Sequence, residues 1–226
     1  MDNSDISNFY KEGYLISLEN SKALSKVADQ AAGSSEFGIA TSLNILAAEE
    51  AIKSVAILTK FYFPEFENEH LKPIFSDHPI KHKNIIAFTF IIDFYIDTIY
   101  NAYLELQQEF KKIEFLPEVQ KRAIKNNTPT LNRNINWILE QKSKKLSFNE
   151  LFEWWNTANK EKNHGFYVDK KNNTWHNPRL ISKESYEKGK TYTLNLIDYC
   201  EHLEHLYNDP ALKGKIKTTV NIGNTD

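Results

Sequence analysis

The sequence predicts an all-α protein, a helical bundle of long helices with one small hairpin or flap near residues 166–176. Three observations predict it. Seven Gly and seven Pro in 226 residues leave room for few turns. Apolar residues recur at helical spacing over two long stretches, about 35–61 and 79–112. Only around residues 166–176 does the pattern shorten towards that of strands.

Residues 8–30 carry Phe9, Tyr14, Leu15, Leu18, Leu24 and Val27 at a loose helical period. Ala31-Ala32-Gly33-Ser34-Ser35 breaks it, with Ser34 or Ser35 expected as the N-cap of the next helix. That helix contains SLNILAAEEAIKSV, Ser42 to Val55, which is apolar almost all the way round. On a helical wheel Ile39, Leu43, Leu46 and Ile57 fall within about 40° of one line, and Glu50 lies on it too. A carboxylate in an apolar stripe needs a cation, and Lys53, one turn on, is the local one. Pro64 ends the helix, and 63–76 reads as an irregular connection with one helical turn near 65–70.

Pro79 suits a first helical turn and puts His78 at the N-cap. The helix runs on to about Lys112. Ile85, Ile92, Ile99 and Leu106 repeat every seven residues, with Phe88, Tyr95 or Ile96, and Tyr103 between them. Phe90, Ile91 and Phe94 add a second apolar face, which predicts burial between layers or in a homodimer interface.

Short helices are expected at 118–125 and 131–139, around the loop Asn126–Pro129, and Lys142–Lys145 reads as a solvated connection. Ser147 and Glu150 form a capping box for a helix whose core face is Leu151, Phe152, Trp154 and Trp155. Phe166-Tyr167-Val168 and Thr174-Trp175 flank Lys171-Asn172-Asn173, the pattern of a hairpin. Ser182 caps a last helix through Tyr207. The whole reads as a single domain over 1–210 with a flexible polar tail, 211–226.

Thirty acidic residues against 28 basic ones give a net charge of −2, which excludes a general nucleic-acid coat; an anionic partner must be held by a local patch. A single cysteine, Cys200, allows no intrachain disulfide and fits a reducing, cytoplasmic setting. The N-terminus lacks a signal-peptide pattern. The most apolar run, Ile85 to Tyr100, carries Asp93 and Asp97 and is too short to span a bilayer, so no membrane partner is expected. No glycine-rich phosphate loop, paired-Cys zinc signature or Ser-His-Asp motif is present.

Two constellations could carry chemistry. The first is Asp77-His78-Pro79-Ile80-Lys81-His82-Lys83. A helix start already carries partial positive charge, so two His and two Lys there call for an anion. His78 and His82 have the i, i+4 spacing of metal ligands, but no third ligand of evident spacing accompanies them, and neither metal nor cofactor is expected. The second is Lys160-Glu161-Lys162-Asn163-His164. His164 can move a proton near neutral pH, and Lys160 and Lys162 can neutralise a phosphate. Asp169, close to Tyr167, can orient a His or cap a turn. The bland counterparts are a solvated basic turn and a helix C-terminus favoured by its dipole.

ILAAEEAIKS in a long helix, then FSDHPIKHK, then GFYVDKKNNTWHNP together resemble the AbiV family of bacterial abortive-infection proteins, in the family's order and across most of residues 35–190. The resemblance implies a phage-defence protein of the HEPN superfamily, whose members are small, helical and usually dimeric, many being metal-independent ribonucleases. Their usual signature, Arg followed after four to six residues by His, is missing: none of Arg122, Arg133 and Arg179 is so placed. The nearest substitutes are Lys160 or Lys162 before His164, and Lys72 before His78.

Two functions follow from these readings. One is a metal-independent endoribonuclease toxin acting as a homodimer, with His78, Lys81, Lys162 and His164 as catalytic residues. Glu50, Lys53, His82, Lys160, Tyr167 and Asp169 would then hold the RNA. The other is a non-catalytic protein that blocks phage replication by binding RNA or a viral or host protein, a phage-encoded activator or target among them. Convergence of the basic residues on one phosphate-sized point separates the two.

Overall fold

The structure, a computed structural model, describes residues 3–62, 68–112, 136–141, 148–171 and 174–208. Its long elements are α1 (Asn3–Gly33), α2 (Phe37–Tyr62), α3 (Asn68–Ser76), α4 (His78–Lys112), α5 (Phe148–Phe166) and α6 (Lys183–Asn208). Residues 136–141 are also helical. Between α5 and α6 lie an antiparallel hairpin, β1 (Asp169–Lys171) with β2 (Thr174–His176), and a 3-10 turn, Pro178–Leu180. The fold is all-α with one small hairpin, as the sequence predicts. The expected elements at 118–125, 126–129 and 142–145, the Ser147 cap, the hairpin tip at 172–173 and the tail 211–226 lie outside the described residues.

The chain forms two compact units, Met1–Ile86 with Leu151–Asp226, and Ala87–Glu150. In the second unit Phe88, Ile92, Ile96, Trp137 and Ile138 are buried, so the seven-residue stripe of α4 is a core stripe where its side chains are described. Ile91, on the other face, is 60% exposed. The side chains of Phe90 and Phe94 lie outside those described.

In the first unit α2 is the central rod. Its faces are defined by small residues more than by large ones. Ala40, Ala47, Ala51 and Ser54 are fully buried and lie along one line. They let α1 come close, and α1 meets them with a serine every four residues. Ser17 Oγ donates to the Glu50 carbonyl (3.1 Å) and Ser21 Oγ to the Ala47 carbonyl (2.7 Å). Ser25 Oγ reaches Asn44 Oδ1 (3.5 Å). The partner numbers fall as the serine numbers rise, so the two helices are antiparallel. Each hydroxyl keeps a hydrogen bond inside the core, which removes the cost of burying it. On α6, Thr193 Oγ1 donates to the Asn44 carbonyl (3.1 Å) and Cys200 Sγ to that of Ala51 (3.5 Å), so α6 runs parallel to α2.

The other small-residue line of α2 receives α5. A Cβ on Gly165 would run into the Ser42 hydroxyl and the Gly38 carbonyl, so the two backbones touch there. Ser42 Oγ donates to the Lys162 carbonyl (2.7 Å) and also lies 3.1 Å from the Gly38 carbonyl. Gly189 of α6 gives the same close approach to the Trp154 indole of α5.

Several boundaries differ from expectation for identifiable reasons. Ser35 is the left-handed residue (φ 63°) that terminates α1. Ser35 N–H bonds the Ala32 carbonyl and Glu36 N–H that of Ala31, the double bond pattern of a helix C-terminal motif normally closed by Gly. Glu36, not Ser34 or Ser35, then starts α2, its carbonyl accepting from Ala40 N–H (3.0 Å). Helix α3 is a regular helix to Ser76 despite Pro73, where a single turn near 65–70 is expected from sequence. The hairpin begins at Asp169, because Phe166 is still helical.

Gly165→Ala is expected to cost about 1–3 kcal/mol, the usual range for overpacking where backbone blocks relief. At Gly33 an added Cβ meets nothing within 4 Å. Gly33→Ala should therefore be neutral, or gain up to about 1 kcal/mol. Equilibrium denaturation of the two variants checks the pair.

Candidate functional site

Glu49 lies on the α5-facing line of α2, in register with Gly38, Ser42 and Ala56. It is 1% exposed. Side chains from two other helices converge on it. Oε1 receives His82 Nε2 (3.0 Å) and Lys162 Nζ (2.7 Å). Oε2 receives His78 Nδ1 (2.6 Å), with Lys81 Nζ at 3.6 Å.

Local sequence explains each approach. His78, Lys81 and His82 are spaced i, i+3, i+4 and share one face of the first turns of α4. Asp77 starts that helix: its carboxylate accepts from Ile80 N–H (3.1 Å) and its carbonyl from Lys81 N–H (3.1 Å). Asp77 therefore takes the N-cap role expected of His78, a carboxylate being a better acceptor for free N–H groups than an imidazole. Lys162 comes from the last turns of α5. Helical side chains lean towards their own N-terminus, and α5 runs antiparallel to α2, so Lys162 and Glu49 lean towards each other. The anion that the basic start of α4 calls for is the protein's own carboxylate.

Burial alone would raise the pKa of Glu49. The hydrogen bonds from His82 and Lys162, the Lys162 charge and the His78 bond outweigh it and hold the carboxyl down at about 2. Lys81 is pushed below the ordinary lysine value, first by burial, which the attraction of Glu49 only partly offsets, and further by Lys53 and Lys162. Two ammonium groups thus face one carboxylate. Lys81, His82 and Lys162 are each about 5% exposed or less, whereas the His78 side chain is 46% exposed. His78 is the outlet of the cluster. Nδ1 is held on Glu49, which leaves Nε2 as the ring atom for chemistry. His82 also lies 6.0 Å, centroid to centroid, from the buried Trp155 ring.

Of the residues expected at the site, His78, Lys81, His82 and Lys162 come together. The Glu50–Lys53 ion pair forms and lies near enough for both charges to act on Lys81. It is only partly buried, at 17% and 21% exposure, and the fully buried carboxylate is Glu49, not Glu50. The stripe drawn through the largest aliphatic residues is the half-open face of α2: Ile39 at its start is 40% exposed. A line through Gly38 and Ser42, small residues that mark a closely approaching helix, would have found Glu49.

His164 is not among the partners of Glu49. Its ring stacks on His176 at 4.1 Å and 30°, and its carbonyl accepts from His176 Nε2 (2.9 Å). Lys160 and Tyr167 are exposed, and Asp169 pairs with His176 across the hairpin, its side chain being outside those described.

The family model HEPN_AbiV, described as AbiV, matches residues 9–190. The chain belongs to the AbiV family. The match runs from within α1 to within α6, and so covers Glu49 and each of His78, Lys81, His82 and Lys162 in this AbiV-family chain. No curated protein and no solved structure gave a match. Among the described residues, no helix of this AbiV protein is long and apolar enough to cross a membrane.

A carboxyl lowered from 4.5 to about 2 contributes stability that is complete above its unfolded value and lost as pH falls through about 2. The acid-side loss attributable to Glu49 is roughly 3 kcal/mol. Glu49→Gln is expected to remove that part of the pH slope and to cost about 3–5 kcal/mol at neutral pH, since the cations remain buried. Glu50→Gln should keep the slope. Urea denaturation from neutral pH down into the acid range measures both.

Proposed function

We propose that this AbiV-family protein is an abortive-infection effector that cleaves RNA without a metal, with His78 as the general base. The observation that carries the reading is the Glu49–His78 contact at 2.6 Å beside two buried ammonium groups, with only the imidazole reaching solvent.

RNA brings its own nucleophile, the 2′-OH. His78 Nε2 takes its proton while Glu49 holds Nδ1–H and stabilises the imidazolium that forms, the orienting role a carboxylate plays beside a catalytic histidine. The 2′-oxygen attacks phosphorus, the bond to the 5′-oxygen breaks, and solvent protonates that leaving oxygen. The products carry a 2′,3′-cyclic phosphate and a 5′-hydroxyl. Lys81 and Lys162 supply the positive potential that the phosphorane-like transition state gains from, in a site with little water to screen it. Lys53, Lys160 and Tyr167 are proposed contacts along the RNA. His164, engaged with His176, is assigned no proton transfer.

The protein is further proposed to act in the cytoplasm, where the buried thiol of Cys200 stays reduced, and as a homodimer, for which the exposed Ile91 on α4 is the supporting observation. Sedimentation of Ile91→Glu should then show monomer where the parent protein shows dimer.

A second reading rests on the same burial. Lys81 and Lys162 are sequestered, as suits a cluster that ties three helices together in a protein acting only by binding. Incubation of the purified protein with total cellular RNA, with and without chelator, decides between them. The nuclease reading expects chelator-resistant cleavage with cyclic-phosphate ends, a loss of at least about a hundredfold in His78→Ala, and loss of phage protection by that variant at unchanged Tm. Intact RNA, or full protection by His78→Ala, sinks the nuclease and leaves the binding protein.

A further inference from the structure

Three of the four tryptophans are buried: Trp155 is 0% exposed and Trp137 and Trp154 are 8% exposed. Trp175, on β2, is 67% exposed. The hairpin explains how it is held there. Trp175 pairs with Lys170 across the ladder, and the two side chains share a face, with Lys170 Nζ 5.9 Å from the indole centroid. The next residue, His176, points to the opposite face, where its ring stacks on His164 and its Nε2–H bonds the His164 carbonyl. Anchoring His176 inward therefore turns Trp175 outward.

The rest of the segment shares this character. Tyr167 is 64% exposed, Val168 66% and Leu180 78%, and the Arg179 side chain is 79% exposed. Between Tyr167 and Leu180 the sequence sets Lys170, Lys171 and Arg179 against the lone acid Asp169. The chain as a whole is slightly acidic, with a net charge of −2. Aromatic faces interleaved with cations on an otherwise acidic protein fit an occupant that offers flat π-surfaces and negative charge together. Unpaired bases on a phosphate backbone do so, whereas a duplex hides its base faces.

The platform also continues from the candidate site. Lys162 precedes Tyr167 by five residues, about 7.5 Å of helix rise. Gly165 between them is fixed against Gly38 by backbone contact.

We propose that the hairpin segment is a stacking platform for single-stranded RNA, with Trp175 and Tyr167 receiving base faces and Lys170 and Arg179 the adjacent phosphates. The choice of RNA over DNA rests on the ribonuclease reading above; the stacking itself does not.

The test uses the full chain and a short 2′-O-methyl oligonucleotide, which has no free 2′-OH and cannot be cleaved. Because Trp175 is the exposed tryptophan, binding should quench the red-shifted part of the emission. By anisotropy of a labelled oligomer, Trp175→Ala should weaken affinity on the order of tenfold, and Trp175→Phe should keep most of it. Lys170→Ala, which leaves the aromatic in place, should weaken it a few-fold. A duplex of the same sequence should bind more weakly. Unchanged affinity in Trp175→Ala with intact far-UV circular dichroism overturns the platform, as does equal quenching by duplex. Absence of quenching by any oligomer also overturns it, in favour of a protein partner. Equal affinity for a DNA oligomer overturns the assignment to RNA. Binding without cleavage of ordinary RNA by the parent protein sinks the nuclease and leaves the platform; cleavage with Trp175→Ala as active as the parent does the reverse.

Discussion

A carboxylate taken almost wholly out of water must be repaid in hydrogen bonds and opposite charge, and in this protein the repayment comes from elsewhere in the chain. Glu49 gains nothing from its own helix. His78, Lys81 and His82 reach it from the start of α4, and Lys162 from the end of α5. Leaving such an ion uncompensated costs several kcal/mol, comparable to a large part of the stability of a domain. Each of the three helix segments is therefore fixed in register by the requirement that its polar atoms meet one carboxylate.

The packing around the cluster serves the same end. Lys162 can reach Glu49 because α5 lies against α2 at Gly165 and Gly38, where any side chain would hold the helices apart. On the opposite face, the serines of α1 and the alanines of α2 allow a similarly close approach without stranding a hydroxyl. A helix flanked on both sides at short distance has little freedom to slide. That rigidity suits the proposed chemistry, which depends on holding one imidazole by one nitrogen.

The hairpin extends this logic outward. His164 and His176 tie it back to the end of α5, and strand alternation then presents Trp175 and Lys170 to solvent. A buried ionic cluster with one exposed histidine, and an exposed aromatic and basic segment, thus both stem from the last turns of a single helix.

The sequence by itself determined the class of fold, the long helices, the hairpin and the basic start of α4, because these follow from local spacing and local charge. It also determined that this start needs an anion. Which anion was decided by the tertiary structure. Glu49 and Glu50 are adjacent and chemically alike, and the wheel built on Ile39, Leu43 and Leu46 selects Glu50. That wheel assumes that the largest side chains face the deepest burial. In α2 that stripe is the more open face: Ile39 is 40% exposed, whereas the faces that meet α1 and α5 carry Gly, Ala and Ser, since only small residues let neighbouring helices come close. That His164 sits with His176 and not on Glu49 was equally hidden, because it depends on where α5 crosses α2 and on the ring of His176 lying beside His164. Periodicity fixes which residues share a face. Only the packing of several helices at once decides which faces meet.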